Sequence, residues 1–183
     1  MGGLWMLKQE HIYSDEYLII PVRVNVQDRK ELLDKVRKTG EEYDAAIVCL
    51  NREMIAGFDH VRTALEHAIR AWKEDQMIAR SLEVEVLLYA AGTRQTGLIG
   101  PFGPENGTSD YYLCIIPPRP EAAAALLEWM EEVNDEDWNE MPENKASRLI
   151  RAYNITPEEL EVTGRDRLGD LIRERSALLA VNR

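Results

Sequence analysis

Histidine and cysteine are scarce in this chain, three and two residues among 183 positions, and the scarcity removes whole classes of chemistry. Cys49 lies in AAIVCL and Cys114 in YYLCII, both apolar runs of strand character. Their separation is not that of a zinc site, and a disulfide framework is unsupported. Both are expected to be buried, reduced core residues, in keeping with a cytoplasmic compartment. His60 and His67 fall two turns apart on one helical pattern, about 10 Å along the axis, too far for one ion at ordinary His–metal bond lengths. They read as surface histidines, or at most as ligand contacts.

Other absences narrow the field further. No run of eighteen apolar residues occurs, so no membrane span is expected. Met1 to Lys8 lacks the apolar stretch and small-residue cleavage site of a secretory signal. Gly97, Gly100, Gly103 and Gly107 lack the Gly-Lys-Ser/Thr ending of a phosphate loop, and no helix opens directly from them as a dinucleotide fingerprint requires. Asp135, Glu136 and Asp137 lack the ordered spacing of a calcium loop, and no serine or threonine stands in a recognisable nucleophile motif. The expectation is a chain without catalytic residues, metal, cofactor or small-molecule substrate: a surface that binds.

Basic residues are outnumbered, 22 against 33 acidic ones, for a net charge of −11. Most of that imbalance is local. Between Arg119 and Glu143 stand nine acids (Glu121, Glu128, Glu131, Glu132, Asp135, Glu136, Asp137, Glu140, Glu143) and one base, which reads as an acidic helix-loop insertion. The remainder is nearly balanced, and residues 144–183 carry eight bases against six acids. A broad duplex-binding surface is therefore not expected. A few contacts to a single-stranded RNA end, made by stacking and hydrogen bonds, remain compatible.

With 45% hydrophobic and 30% charged residues, the chain is expected to fold as one domain over 1–183. Strands are expected over Tyr17 to Val26, Ala45 to Leu50 and Tyr111 to Ile116, the last ended by Pro117 and Pro118. Helices are expected over Asp28 to Lys38, Glu121 to Val133, Glu143 to Tyr153, Pro157 to Val162 and Arg165 to Leu179. Thr156-Pro157-Glu158-Glu159 is a capping box with proline at the first helical position. In the central helix Val61, Ala64, Leu65, Ala68, Ile69 and Trp72 form one apolar stripe, with Asp59 as its expected N-cap. Leu82, Val84, Val86 and Leu88 then alternate with Glu83, Glu85, Leu87 and Tyr89, the period of a half-covered strand. The predicted architecture is an α/β single-domain sandwich, a mixed β-sheet packed by helices.

Two segments suggest binding. Arg94 offers a fork of donors suited to phosphate or carboxylate, and Gln95 both donates and accepts; the same pair could instead satisfy local carbonyls. In the last helix Leu168, Leu171, Ile172, Leu178 and Leu179 form an apolar stripe flanked by Arg165, Arg167, Arg173 and Arg175. It could dock onto its own sheet, enter a partner's groove, or do both along different edges.

The segments IAGFDHVRTALEHAIRA, MIARSLEVEVLLYAAGTRQ, FGPENGTSDYYLCII and LIRAYNITPEELEV, with the closing ALLAV, resemble in order and spacing the small, catalytically silent, kinase-binding subunit of the KEOPS (EKC) tRNA-modification complex. The resemblance covers most of the chain from about Asp44 onward. Two departures are local: where the family continues past Arg-Gln as a helix, Thr96, Gly97, Gly100 and Pro101 interrupt it here, and the region Arg119 to Pro142 looks like an enlarged acidic insertion. The resemblance implies a non-catalytic subunit that binds the small atypical kinase of the complex and the 3′ CCA end of tRNA, so that another subunit can make threonylcarbamoyl-adenosine. It implies Lys73, Arg80 and Arg94 as phosphate contacts and His60 and Gln95 as base or ribose contacts. It further implies a kinase-facing set of Ile172, Arg175, Leu178 and Leu179. The acidic segment and the interrupted helix leave open a pure protein adaptor that does not bind RNA.

Overall fold

The computed structural model describes residues 12–181; Met1 to Lys8, read above for a secretory signal, lies outside them. In chain order the elements are β1 (Ile12–Tyr13), β2 (Leu18–Val26), α1 (Arg29–Tyr43), β3 (Ala46–Asn51), α2 (Phe58–Lys73), α3 (Leu82–Ala91), β4 (Gly107–Ile116), α4 (Pro120–Leu127), β5 (Glu131–Glu132), α5 (Glu143–Ala152), α6 (Pro157–Thr163) and α7 (Leu168–Val181). They separate into two units. One is built from the chain up to Asn51 together with Gly103–Asp135, the other from Arg52–Phe102 together with the chain from Glu136 onward.

The first unit holds the sheet. β4 lies between β2 and β3, and β1 and β5 share the other edge of β2. Register partners run from Leu18 with Ile115 to Val26 with Gly107, and from Ala46 with Ile116 to Asn51 with Tyr111. Leu18, Ile20, Val22, Val24 and Val26 alternate onto one face, where they bury with Ile47, Cys49, Leu113 and Ile115 beneath Leu32 and Val36 of α1 and Ala122, Ala123 and Leu126 of α4. This face is the hydrophobic layer that fixes the register, since a one-residue slip would turn the whole set over. Both cysteines are buried and unpaired, as expected, and burial pushes the Cys49 thiol up to about 12.

The α/β class read from sequence holds, with one correction: every strand pairing among the described residues is antiparallel, so the sheet is not mixed. The cause is the segment Leu82 to Tyr89, expected as a strand and found as helix α3. Its apolar residues surround the helix, with Val86, Leu88, Tyr89, Ala90 and Ala91 all buried, and a helix apolar on most sides does not display a 3.6-residue period. Its start is fixed by polar groups. Ser81 accepts from Val84 N at 3.3 Å. The fully buried Glu85 reaches back to accept from Ile78 N at 3.1 Å and Ala79 N at 2.7 Å.

Two other expectations shift. The helix expected to run to Val133 ends at Leu127, because the free edge of β2 draws the chain into β5, with Val133 N donating to Pro21 O at 3.1 Å. The acidic segment from Arg119 to Glu143 is therefore part of the fold of both units: Met130 buries in the sheet unit's core, and Trp138 buries in the helical unit. At the start of α2 the N-cap is Gly57, and Asn139 Oδ1 accepts from Phe58 N at 3.0 Å. Asp59 sits one position further into the first turn and faces Arg62. At the other end of α2, Trp72 is exposed where the apolar stripe was expected to continue.

The Glu85 clamp yields a direct test. Glu85→Ala takes the acceptor from two half-buried backbone donors and should lower unfolding stability by about 1–2 kcal/mol. In a urea titration the midpoint should fall at constant slope; an unchanged midpoint would remove Glu85 from the list of groups holding α3.

Candidate functional site

The last turn of α3 is where side chains from several elements of the helical unit meet. A helix leaves its final carbonyls without intrahelical partners, and here those of Leu88, Tyr89 and Ala90 find others. Gly92 ends α3 in the left-handed region at φ 65°, a conformation that costs glycine little. Its N–H donates to Tyr89 O at 3.2 Å, and Thr93 N donates to Leu88 O at 3.1 Å. Glycine is required a second time by packing, since a Cβ there would lie 3.3 Å from Arg175 Cβ and 3.4 Å from the Arg175 carbonyl carbon. Ser176, fully buried on α7, donates to Tyr89 O at 2.6 Å.

Ala90 O is the junction. It lies 2.9 Å from His60 Nε2 and accepts from the Tyr153 hydroxyl at 2.8 Å. Because Ala56 N donates to His60 Nδ1 at 3.1 Å, Nδ1 must be the bare nitrogen, and the ring proton sits on Nε2 facing Ala90 O. The Tyr153 hydroxyl is also 3.0 Å from Met54 O. His60, expected on the exposed face, is thus buried at 1% exposure with both nitrogens engaged inside the fold. Its position supports the site from within and offers no free edge to a base. Burial lowers its pKa to about 4, and burial raises the Tyr153 phenol well above its ordinary value.

Around this junction opens a pocket of about 470 Å³, within the range of small-ligand sites. Tyr153, Phe102, Met54 and Leu98 make its apolar wall, and Gln95, Thr93, Asn154 and Arg175 its polar part. The Phe102 ring meets Tyr153 edge-on at 5.8 Å. As expected, no helix follows Gln95: two single 3-10 turns, Thr96–Leu98 and Gly100–Phe102, carry the chain along the pocket and leave Leu98 54% exposed.

The structure redistributes the residues singled out from sequence. Gln95 and Arg175, assigned to different partners, line the same pocket. Arg94 is exposed beside Gln95. Lys73, at the end of α2, and Arg80, just before α3, are exposed at the opposite end of α3, about 15 Å away along a ten-residue helix. On α7, Ile172 is fully buried in the unit's core and Leu179 is 7% exposed, so neither presents a free surface. The outward apolar residues are Leu178, at 39%, and Val181, at 75%. Arg175 Nη2 donates to Glu159 Oε1 at 2.6 Å, and the Arg175 Nε donates to Tyr153 O at 3.4 Å. The Glu159 carboxylate is held below its ordinary range, first by its bond from Thr156 N and then by Arg175.

Sequence reasoning missed Tyr153, Ser176 and Glu85. One signal existed: Ser176 falls four residues after Ile172 and three before Leu179, a hydroxyl on an apolar stripe, which must find a partner when buried. His67 stacks on Tyr89 at 5.6 Å between ring centroids, and no cluster of three or more potential metal ligands occurs among the described residues. No helix among them is long and apolar enough to cross a membrane.

Burial of neutral His60 ties stability to pH. Its folded pKa, about 4, is below the ordinary 6.5, so between those values the unfolded state binds more protons and stability rises with pH. The full difference is on the order of 3 kcal/mol at neutral pH and is lost as pH falls toward 4. The His60 imidazole signals should remain those of the neutral Nε2–H tautomer in an NMR titration down to about pH 5, whereas a midpoint near 6.5 would mean the ring is not enclosed.

With this geometry in place, comparison with known protein families shows that residues 24–179 match the family described as kinase binding protein CGI-121. No curated protein matches significantly.

Proposed function

The chain belongs to the kinase binding protein CGI-121 family, and from that premise we propose that it is a non-catalytic, cytoplasmic subunit of a KEOPS-like complex. In this reading it grips the small atypical kinase subunit and receives the 3′ CCA end of tRNA, while threonylcarbamoyl transfer takes place on another subunit. The observation that carries the RNA half is the pocket at the end of α3. An aromatic and apolar wall of Phe102, Tyr153, Met54 and Leu98 faces Gln95, Asn154 and Arg175, with Arg94 exposed at its rim. Such a recess suits one unstacked base with its sugar and phosphate, because a base face is apolar and its edge needs donors and acceptors. Lys73 and Arg80, at the far end of α3, would meet phosphates further along the strand. His60 would hold the Ala90 carbonyl and the pocket floor, without touching RNA.

The kinase contact is proposed on the outer edge of α7. Leu178 and Val181 are its exposed apolar residues, and an amphipathic helix offering such an edge can enter a partner's groove. Ile172 and Leu179 would act from beneath, by keeping α7 seated.

Binding of intact tRNA and of tRNA lacking its CCA end, each across a salt series, tests the reading. Tight binding should require the CCA end and weaken with salt, and Lys73→Ala with Arg94→Ala should reduce it severalfold at low salt. Equal binding of both tRNAs would exclude an end receptor, and no binding of either would leave a protein adaptor. On the partner side, Leu178→Glu should abolish capture of the kinase subunit while leaving thermal stability within about 0.5 kcal/mol of wild type; retained capture would move the interface off α7.

A further inference from the structure

Arg175 is the one charged side chain in the lining of the pocket among the described residues. The lining thus presents a positive group to a ligand, while the counter-ion Glu159 stands outside it. The guanidinium is only half committed. Nη2 is taken by Glu159 and Nε by the Tyr153 carbonyl, and of five donors the others have no partner among the described residues.

Its counter-ion is held independently. Glu159 closes the capping box of α6: Oε2 accepts from Thr156 N at 2.8 Å, and Thr156 Oγ1 accepts from Glu159 N at 3.2 Å. The carboxylate is therefore fixed by the helix start whether or not Arg175 is present, and its Oε1 stands as a stationary anion beside a longer, jointed side chain. With side-chain exposures of 26% for Arg175 and 31% for Glu159, an ion pair of this kind is weakly held.

We infer that Arg175 is a phosphate-recognising residue of the pocket, held ready by Glu159 and released to a phosphate of the incoming RNA end. The inference rests on the RNA-end reading and changes the role of Arg175 from kinase contact to ligand contact. Glu159 lowers the affinity of the pocket, because its carboxylate competes with an incoming phosphate for the charge of Arg175.

Glu159→Gln separates charge from structure, since glutamine at this position still serves a capping box. The probe is a single-stranded RNA oligonucleotide ending in CCA, measured across a salt series against wild type, Glu159→Gln and Arg175→Gln, with capture of the kinase subunit scored in parallel. Glu159→Gln should bind the oligonucleotide roughly two- to fivefold more tightly, the scale of one weak ion pair. Arg175→Gln should bind more weakly, with a salt slope shallower by about 0.7, the share of one single-strand phosphate. Should Arg175→Gln fail to fold, Glu159→Gln decides alone. Unchanged or weaker binding by Glu159→Gln, in a protein whose wild type binds, would overturn the inference and leave the RNA-end reading standing. Loss of kinase capture with full RNA binding in Arg175→Gln would return the residue to the partner surface. A wild type that binds no RNA would remove both readings together.

Discussion

One backbone carbonyl organises the helical unit. Ala90 O, at the end of α3, faces the His60 ring nitrogen and accepts the Tyr153 hydroxyl, joining α2, α3 and the end of α5 at a single atom. A buried carbonyl left unpaired would cost ~1–3 kcal/mol, so the groups meeting there are constrained in tautomer, rotamer and spacing. Next to it, Ser176 closes the Tyr89 carbonyl from α7. The pocket is what remains open once these carbonyls have been closed, which is why its floor is rigid and its rim is a loop.

Fold and site were legible to different degrees. Apolar strands such as β2, buried throughout its first half and alternating from Val22 to Val26, and helices with polar starts, such as α6 with its capping box, were readable because local pattern and tertiary environment agree. α3 was not, because Leu82 to Tyr89 has an accidental period of two. Tertiary burial and the long-range clamp by Glu85 overrode that pattern. The same limit governs the site. Arg94 and Gln95 announce themselves by chemistry in a glycine-bounded loop. His60 was misplaced outward because two histidines on a charged helix look solvated until Ala90 and Tyr153 arrive from remote parts of the chain.

That Gln95 and Arg175 line one pocket was hidden from sequence for a related reason. Sequence separates them by β4, α4, β5, α5, α6 and the first half of α7, and the close approach of α7 to Gly92 brings them together. Family membership supplies a kinase as partner. The geometry adds that α7, the helix on which that contact is proposed, also contributes Arg175 to the pocket lining.

The interleaving of the units has a consequence for how the chain is made. Among the described residues β3 pairs only with β4, and β2 gains its long ladder from β4, with Leu18 opposite Ile115. Between them in sequence lies the whole first half of the helical unit. During synthesis, therefore, two apolar strands leave the ribosome long before their common neighbour, and Gly107–Ile116 joins them only when it emerges, with β5 following later. Pairing across so much chain is slow to nucleate. Until β4 arrives, β2 and β3 are open templates for wrong pairing, so the nascent chain passes through its most aggregation-prone interval while α2 and α3 are being made.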